Sequence, residues 1–232
     1  MKETSKTNSY RDKKFFDTYL SGKVIDIGAG DDPVTPKSEI FDLAEGNAEN
    51  ISKYIQRNDY DCVYSSHCLE HIDDINMATN NWWQLVKPGG YMIIIVPEET
   101  LYEQKIWPSL FAPPPIGHQH SFRLNSETSW SPVSVDILGL VKKLPNVKVI
   151  SSQIHDNNYD YSLIGKRIGP FGQKIYKWRR SKNVFKRKIS ETLYGFLHDY
   201  FWVNSKRKSG RPIDQTTWNA LAQIEVIIQK VK

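Results

Sequence analysis

Val24-Ile-Asp-Ile-Gly-Ala-Gly-Asp-Asp-Pro33 is the stretch on which the fold turns. An apolar, β-branched run (Val24, Ile25, Ile27) stops at Gly28-Ala29-Gly30, and two acids follow. This pattern predicts a buried strand whose carboxyl end feeds a loop where a ligand can touch backbone. A dinucleotide site would want a third glycine at position 33 and a free helix N-terminus for a pyrophosphate. Position 33 is instead proline, and Asp31 and Asp32 repel phosphate, so the loop suits a cationic ligand. Pro33 and Pro36 also disfavour a continuous helix before Glu39, so the first helix should be short or absent and that side of the ligand open.

Two later stretches narrow the choice. Asp61-Cys-Val-Tyr-Ser-Ser-His-Cys-Leu-Glu-His71 reads as a second strand end, and Leu85-Val-Lys-Pro-Gly-Gly-Tyr-Met-Ile-Ile-Ile-Val-Pro97 as a helix stop followed by a central strand. With Val24–Pro33, in this order, they resemble the motifs of class I S-adenosylmethionine-dependent methyltransferases. The resemblance implies a Rossmann-like, doubly wound α/β fold with a seven-stranded sheet whose last strand is antiparallel. It also implies S-adenosyl-L-methionine as cofactor, whose sulfonium and ammonium groups match an acidic loop.

Composition is consistent with a folded enzyme. Across 232 residues, 39% are hydrophobic and 12% aromatic, enough for one sizeable core. Cys62 and Cys68 suggest neither a disulfide framework nor a metal quartet. The first residues lack an apolar signal core and no apolar run reaches membrane-spanning length, so a cytoplasmic protein is expected. Charge is unevenly placed. Lys166 to Lys208 holds thirteen Lys or Arg against Glu191 and Asp199, a net +11, so the remaining residues sum to −6 within the total of +5. Such a basic segment on an acidic domain points to an anionic partner.

The chain reads as one domain over 1–232. Residues 1–20 form a polar arm leading into a short helix with Phe15, Phe16, Tyr19 and Leu20. The core covers 21–155 and 220–232, with strands at Lys23–Ile27, Glu39–Leu43, Asp61–Ser65, Tyr91–Val96, Val147–His155 and Ala220–Val231. Helices are expected after Asp73 or Asp74 and around Val133–Lys143. Residues 98–130 form a substrate loop, and 156–219 a basic helical insertion emerging on the cofactor side.

Site residues follow from motif and resemblance together. Gly28, Ala29 and Gly30 let backbone approach the methionine part of the cofactor. By resemblance, Asp26 holds the ammonium group, directly or through water, and Asp42 accepts the ribose hydroxyls. Asn47 and Ala48 fall where the family reads adenine, although a solvated loop Asn explains position 47 equally well. Ser65, Ser66 and His67 should lie beside the reactive methyl. An oxygen acceptor must lose a proton, which makes His67, His118 and His120 the candidate catalytic residues. His71 is expected to pack beneath the site. A metal on His118, His120 and Glu98 is conceivable, but a surface His pair is favoured and no metal is assigned. Glu98, Tyr102 and Arg123 are expected to contact substrate from the loop, and Arg179 and Arg180 from the insertion.

The stretch Val96-Pro-Glu-Glu-Thr-Leu-Tyr-Glu-Gln104, the following Trp107-Pro-Ser and His pair, and Asp214-Gln-Thr-Thr with Ala220-Leu-Ala-Gln-Ile-Glu225 also resemble methyltransferases of bacterial surface-polysaccharide clusters. That implies O-methylation of a sugar hydroxyl or a phosphate- or phosphoramidate-type oxygen on a nucleotide- or lipid-linked saccharide, with peripheral contact at the inner membrane face. Two alternatives stand: an RNA methyltransferase docking through the basic segment, and a non-catalytic cofactor-binding subunit. The strand-end motif lacks the Asn/Asp-Pro-Pro-Tyr type of sequence suited to base amino groups, so nucleic acid ranks behind an anionic glycan.

Overall fold

The computed structural model describes residues 2–107, 109, 117–125, 127–164, 174, 178, 181–190, 192–193 and 214–231. Strands are β1 (Val24–Ile27), β2 (Glu39–Phe41), β3 (Tyr60–Ser66), β4 (Val86–Pro97), β5 (Ser121–Arg123), β6 (Ser134–Asp136), β7 (Val147–His155) and β8 (Gln223–Lys230). Helices are α1 (Glu3–Asn8), α2 (Lys13–Tyr19), α3 (Ile75–Leu85) and α4 (Ile137–Val141). Six strands form the main sheet in the order β2-β1-β3-β4-β8-β7, with β5 and β6 paired separately. Neighbours from β2 to β4 run parallel, and β8 lies antiparallel between β4 and β7. This is a Rossmann-like α/β fold.

Alternation along the strands explains why the sheet is covered on both faces. Ile25, Ile27, Val63, Met92, Ile94, Ile224 and Val226 bury on one side, against α3 and α4. Val24, Cys62, Tyr64, Ile93, Ile95 and Ile227 bury on the other, with Phe15, Phe16 and Tyr19 of α2 packed on them. Helix α3 starts at Asp74, whose carboxylate accepts from Met77 N at 2.9 Å. Its two fully buried indoles also anchor loops, Trp82 donating to Ala48 O and Trp83 to Pro145 O, each at 2.8 Å.

Several expectations need correction. The sheet has six strands among the described residues, not seven. Between β2 and β3 the chain makes a tight 3-10 segment, Ala48–Lys53, opened by Asn47, whose Oδ1 accepts from Glu49 N. Only Ile51 of that segment is buried, so it has no apolar face for a strand to pack. The helix expected around Val133–Lys143 splits instead. Ser134–Asp136 pairs with β5, and Asp136 then caps α4 by accepting from Leu138 N at 3.1 Å. The polar arm of residues 1–20 is itself helical at its start and packs on the core. In α1, Lys6 is buried and donates to Thr216 O, while Thr7 Oγ1 accepts from Gln223 of β8. Most of the basic segment lies outside the described residues. Among the described residues, no helix is long and apolar enough to cross a membrane.

One buried ion pair ties the N-terminus to the centre of the sheet. Arg11 stacks 4.0 Å from the Phe15 ring and pairs with Glu225 on β8, both side chains being almost inaccessible. Burial acts to raise the Glu225 pKa. The contacts from His155 and Arg11 overcome this and lower it to about 2. Removing one partner of such a pair strands a buried charge, which costs about 3–5 kcal/mol. Glu225→Gln is expected to lower the unfolding free energy in urea by that order. Because the folded pKa lies below the ordinary 4.5, the wild-type contribution is complete above pH 4.5 and fades as pH falls toward 2. The variant should show a flatter loss of stability across that acid range, read from denaturation midpoints.

Candidate cofactor and methyl-transfer site

The site begins where β1 and β3 end side by side, Ile27 opposite Ser65. Ser65 Oγ donates to Ile27 O at 3.0 Å and holds the two strand ends together. Gly28 then turns through φ +79°, and a Cβ there would stand 2.5 Å from the Cβ of Cys68. Only glycine satisfies both constraints. Gly28 N donates to Phe41 O, Gly30 N donates to Asp42 Oδ2 at 2.7 Å, and Ala29 O accepts from Asp32 N. The glycine loop is thereby braced against the end of β2.

In front of this loop opens a cleft of about 650 Å³, a size suited to a small-molecule ligand. Gly28, Asp42, Asn47, Ala48, His67 and His71 are among its walls. Asp26 lies behind it, buried, with Oδ2 accepting from Val34 N at 2.6 Å and Oδ1 buried without a hydrogen bond. Burial, with the nearby charges of Asp32 and Asp42, raises its pKa to about 7 against the lowering effect of the Val34 N–H and Arg11. Asn47 Oδ1 already accepts from Glu49 N, which is a structural use of the atom expected to read adenine.

The acidic pair after Gly30 behaves differently from the sequence expectation. Lys2 pairs with Asp31, and Ser5 donates from backbone and hydroxyl to Asp32. Asn8 Nδ2 also donates to Val34 O at 3.0 Å. These contacts lay α1 along the turn, so the side left without a helix by Pro33 and Pro36 is covered from the N-terminus.

At the end of β3, Ser66 Oγ is buried without a hydrogen bond, and His67 adopts a left-handed backbone with φ +55°. Its Nε2 lies 3.0 Å from Gln223 Oε1, and its Nδ1 lies 3.5 Å from Glu70 Oε1. Burial would lower the His67 pKa, but contact with Glu70, the charge of Glu3 and the Gln223 contact raise it to about 9. Burial correspondingly favours neutral Glu70, yet His67, His118 and His71 hold its pKa low.

The loop after β4 closes over this turn. Gln119 N and His120 N both donate to Glu70 O. His118 is buried, its Nδ1 2.6 Å from Glu103 Oε1, and its ring stacks on Tyr102 at 5.1 Å. His120 points elsewhere, its Nε2 3.2 Å from Asp73 O. His118 is thus brought beside His71, ring centroids 5.0 Å apart, and shares Glu70 Oε1 with His67, while His120 does neither. His71 lines the cleft rather than packing wholly beneath it. Glu98 Oε2 accepts from Thr100 N and Leu101 N, stabilising its own turn. Glu98 and Arg123 border a second cavity of about 480 Å³, and Arg123 donates to Ser134 Oγ. Arg179 and Arg180 lie outside the described residues. Sequence reasoning missed Glu70, Glu103 and Gln223; the spacing of His67, Glu70 and His71 within one turn was the available signal for the first.

A methyltransferase-domain family matches residues 10–130, more than half of the chain. The chain belongs to this methyltransferase family. Among solved structures it is similar to an S-adenosylmethionine-dependent methyltransferase from Archaeoglobus fulgidus, at 13% identity over 98% of this chain and 94% of that one, with a TM-score of 0.47. It is also similar to one from Mesorhizobium loti, at 10% identity over 90% of each chain and a TM-score of 0.42. No curated protein matches the chain.

The methyltransferase uses S-adenosyl-L-methionine, and its own residues fit that group. The unpartnered Oδ1 of buried Asp26, directly behind the glycine loop that lines the cleft, is a feature a cationic amino-acid moiety can use. Asp42, at the end of β2 and on the cleft wall, is placed to accept from vicinal hydroxyls.

Two measurements follow for this methyltransferase. Gly28→Ala and Gly30→Ala share a left-handed strain of about 1–2 kcal/mol (φ +79° and +56°), but Gly28→Ala adds overpacking of about 1–3 kcal/mol against Cys68, whereas Gly30→Ala meets nothing nearer than Asp42 Oδ2 at 4.0 Å. Calorimetry with S-adenosylhomocysteine and thermal melts should show Gly28→Ala the more damaging to both binding and stability. Asp26 has a raised folded pKa, so the native state holds a proton that the unfolded chain releases between pH 3.8 and about 7. Stability from this group is therefore present at low pH and lost as pH rises through that window. Asp26→Asn should flatten that component of the pH profile in denaturant titrations.

Proposed function

We propose that this methyltransferase acts on oxygen, methylating a sugar hydroxyl or a phosphate- or phosphoramidate-type oxygen of a nucleotide- or lipid-linked saccharide in cell-surface polysaccharide biosynthesis. The observation that carries the reading is the imidazole–carboxylate cluster of His67, Glu70, His71 and His118, of which His67 and His71 line the cleft. S-adenosylmethionine supplies an electrophilic methyl group, so the chain's task is to align an acceptor, exclude water and handle the acceptor's proton. An oxygen held against His67 meets hydrogen-bonding groups at that point, and the loop carrying His118 shields it from solvent. The strongly basic segment at 166–208 supports an anionic carrier such as a diphosphate and favours peripheral contact with an anionic membrane surface.

The test is a product assay with the full chain, S-adenosylmethionine and separate pools of nucleotide-linked saccharides, lipid-linked saccharides and RNA. Release of S-adenosylhomocysteine with a methyl-sized mass gain on a saccharide is the expected result. Because the His67 pKa is raised to about 9, its neutral form is minor near pH 7 and kcat should climb as pH rises toward 9; His67→Asn should lower kcat by roughly 10²-fold and abolish that climb. Methyl transfer to RNA alone would overturn the saccharide reading.

A further inference from the structure

We propose that Glu70, His71 and His118 form a binding site for a first-row divalent cation of the zinc type, set in the wall of the cofactor cleft. One carboxylate oxygen and two imidazole nitrogens, all within 4.8 Å of one another, are available from these three residues. Glu70 Oε1 lies 3.9 Å from His71 Nε2 and 3.9 Å from His118 Nε2. Tetrahedral ligands at ~2.1 Å from zinc span edges of about 3.4 Å, so the three atoms need to draw in by only a few tenths of an ångström along these two edges.

The surroundings argue for a cation rather than for chance proximity. Glu70 is almost fully buried, and both its carboxylate oxygens are buried without a hydrogen bond. His67 Nδ1, 3.5 Å from Oε1, offsets part of this buried charge, and a cation held between the carboxylate, His71 and His118 would offset the rest. The backbone carbonyl of the same residue is separately engaged by Gln119 N and His120 N, which fixes the loop bearing His118 against the turn bearing Glu70. His118 Nδ1 meets Glu103 Oε1 at 2.6 Å, which turns Nε2 toward Glu70. A carboxylate behind a metal-binding imidazole is the usual arrangement for orienting it and raising its basicity. Tyr102 stacks on the same ring and restricts its rotation.

Two imidazoles and one carboxylate leave at least one coordination position open, which is the donor set of metal sites that bind a further ligand. His71 lines the cofactor cleft, so the open position has access to that space. The ligand class for that position is an oxygen donor. The three side chains would hold the cation whatever the identity of the methyl acceptor.

The experiment uses the full chain with any affinity tag removed, stripped with a chelator and titrated with Co(II), then with Zn(II). One equivalent of Co(II) is expected to produce visible d–d absorption, and one equivalent of Zn(II) to displace it. His71→Asn and Glu70→Gln should each weaken Co(II) binding at least tenfold, Glu103→Gln by about 10–100-fold, and His120→Asn should leave it unchanged. Circular dichroism checks each fold. If Glu70→Gln does not fold, His71→Asn, at a partly exposed position, decides the matter. Absence of the cobalt spectrum at submillimolar Co(II), or a spectrum untouched by His71→Asn, would overturn the site.

Discussion

The cleft exists because the turns after β1 and β3 are pressed together with no room for a side chain between them. Gly28 occupies a left-handed conformation directly against Cys68, and Ser65 bonds across to Ile27 one residue earlier. Parallel strands buried on both faces cannot splay at their ends without exposing apolar surface. The close approach therefore fixes two things at once. It directs the glycine loop outward, where Gly30 N meets Asp42, and it starts the His67–His71 turn at a defined angle to the cofactor space. Both walls of the cleft inherit their positions from this one contact.

Charge is distributed around that contact in a way that separates tasks. Asp26 is buried, pinned to Val34 N and raised in pKa, so it belongs to the frame behind the loop. Asp31 and Asp32 are engaged by α1, and their service is to hold the N-terminal segment over the turn. Surface pairs of this kind contribute little each. The fixing of α1 comes instead from buried Lys6 on Thr216 O, from Gln223 on Thr7 and from the Arg11–Glu225 pair. Gln223 is shared, since its Oε1 meets His67 and its Nε2 donates to Thr7. Helix α1, the last strand and the cleft residue His67 are thereby one connected polar system.

Much of this architecture was legible in the sequence where the signal is local. The strand expected at Val147–His155 matches β7, and the β-branched density within Ala220–Val231 separates a strand from a helix, with β8 spanning Gln223–Lys230 of it. Asp74 as helix cap and Pro33 with Pro36 as helix breakers are local chemistry too. What escaped is long-range. Nothing near Lys6 signals that it packs against Thr216, and an acidic turn reads identically whether its partner is a ligand or a lysine in the same chain. The shortened sheet depends on whether residues 44–59 can bury a face, and only Ile51 of their 3-10 segment does. Among the histidines, burial decides the role. His118 and His120 look alike in sequence, and the parity of one loop turns the first inward to Glu103 and the second toward Asp73 O.

Glu70 is the residue that joins the turn after β3 to the loop after β4. Its backbone carbonyl receives the loop after β4, and its side chain faces three imidazoles from two segments. A carboxylate so placed could be replaced by an apolar side chain if its only duty were packing, because a buried charge costs more than it contributes unless fully paired. Instead the fold spends a fully buried acid at the rim of the cofactor cleft and surrounds it with nitrogen ligands, one of them braced by a second buried acid, Glu103. Such an arrangement is coherent when the carboxylate's true partner is positive. Protonated His67 supplies part of that charge in the chain itself. The remaining asymmetry, an Oε1 without a hydrogen bond 3.9 Å from both His71 Nε2 and His118 Nε2, is what a cation at that point would satisfy.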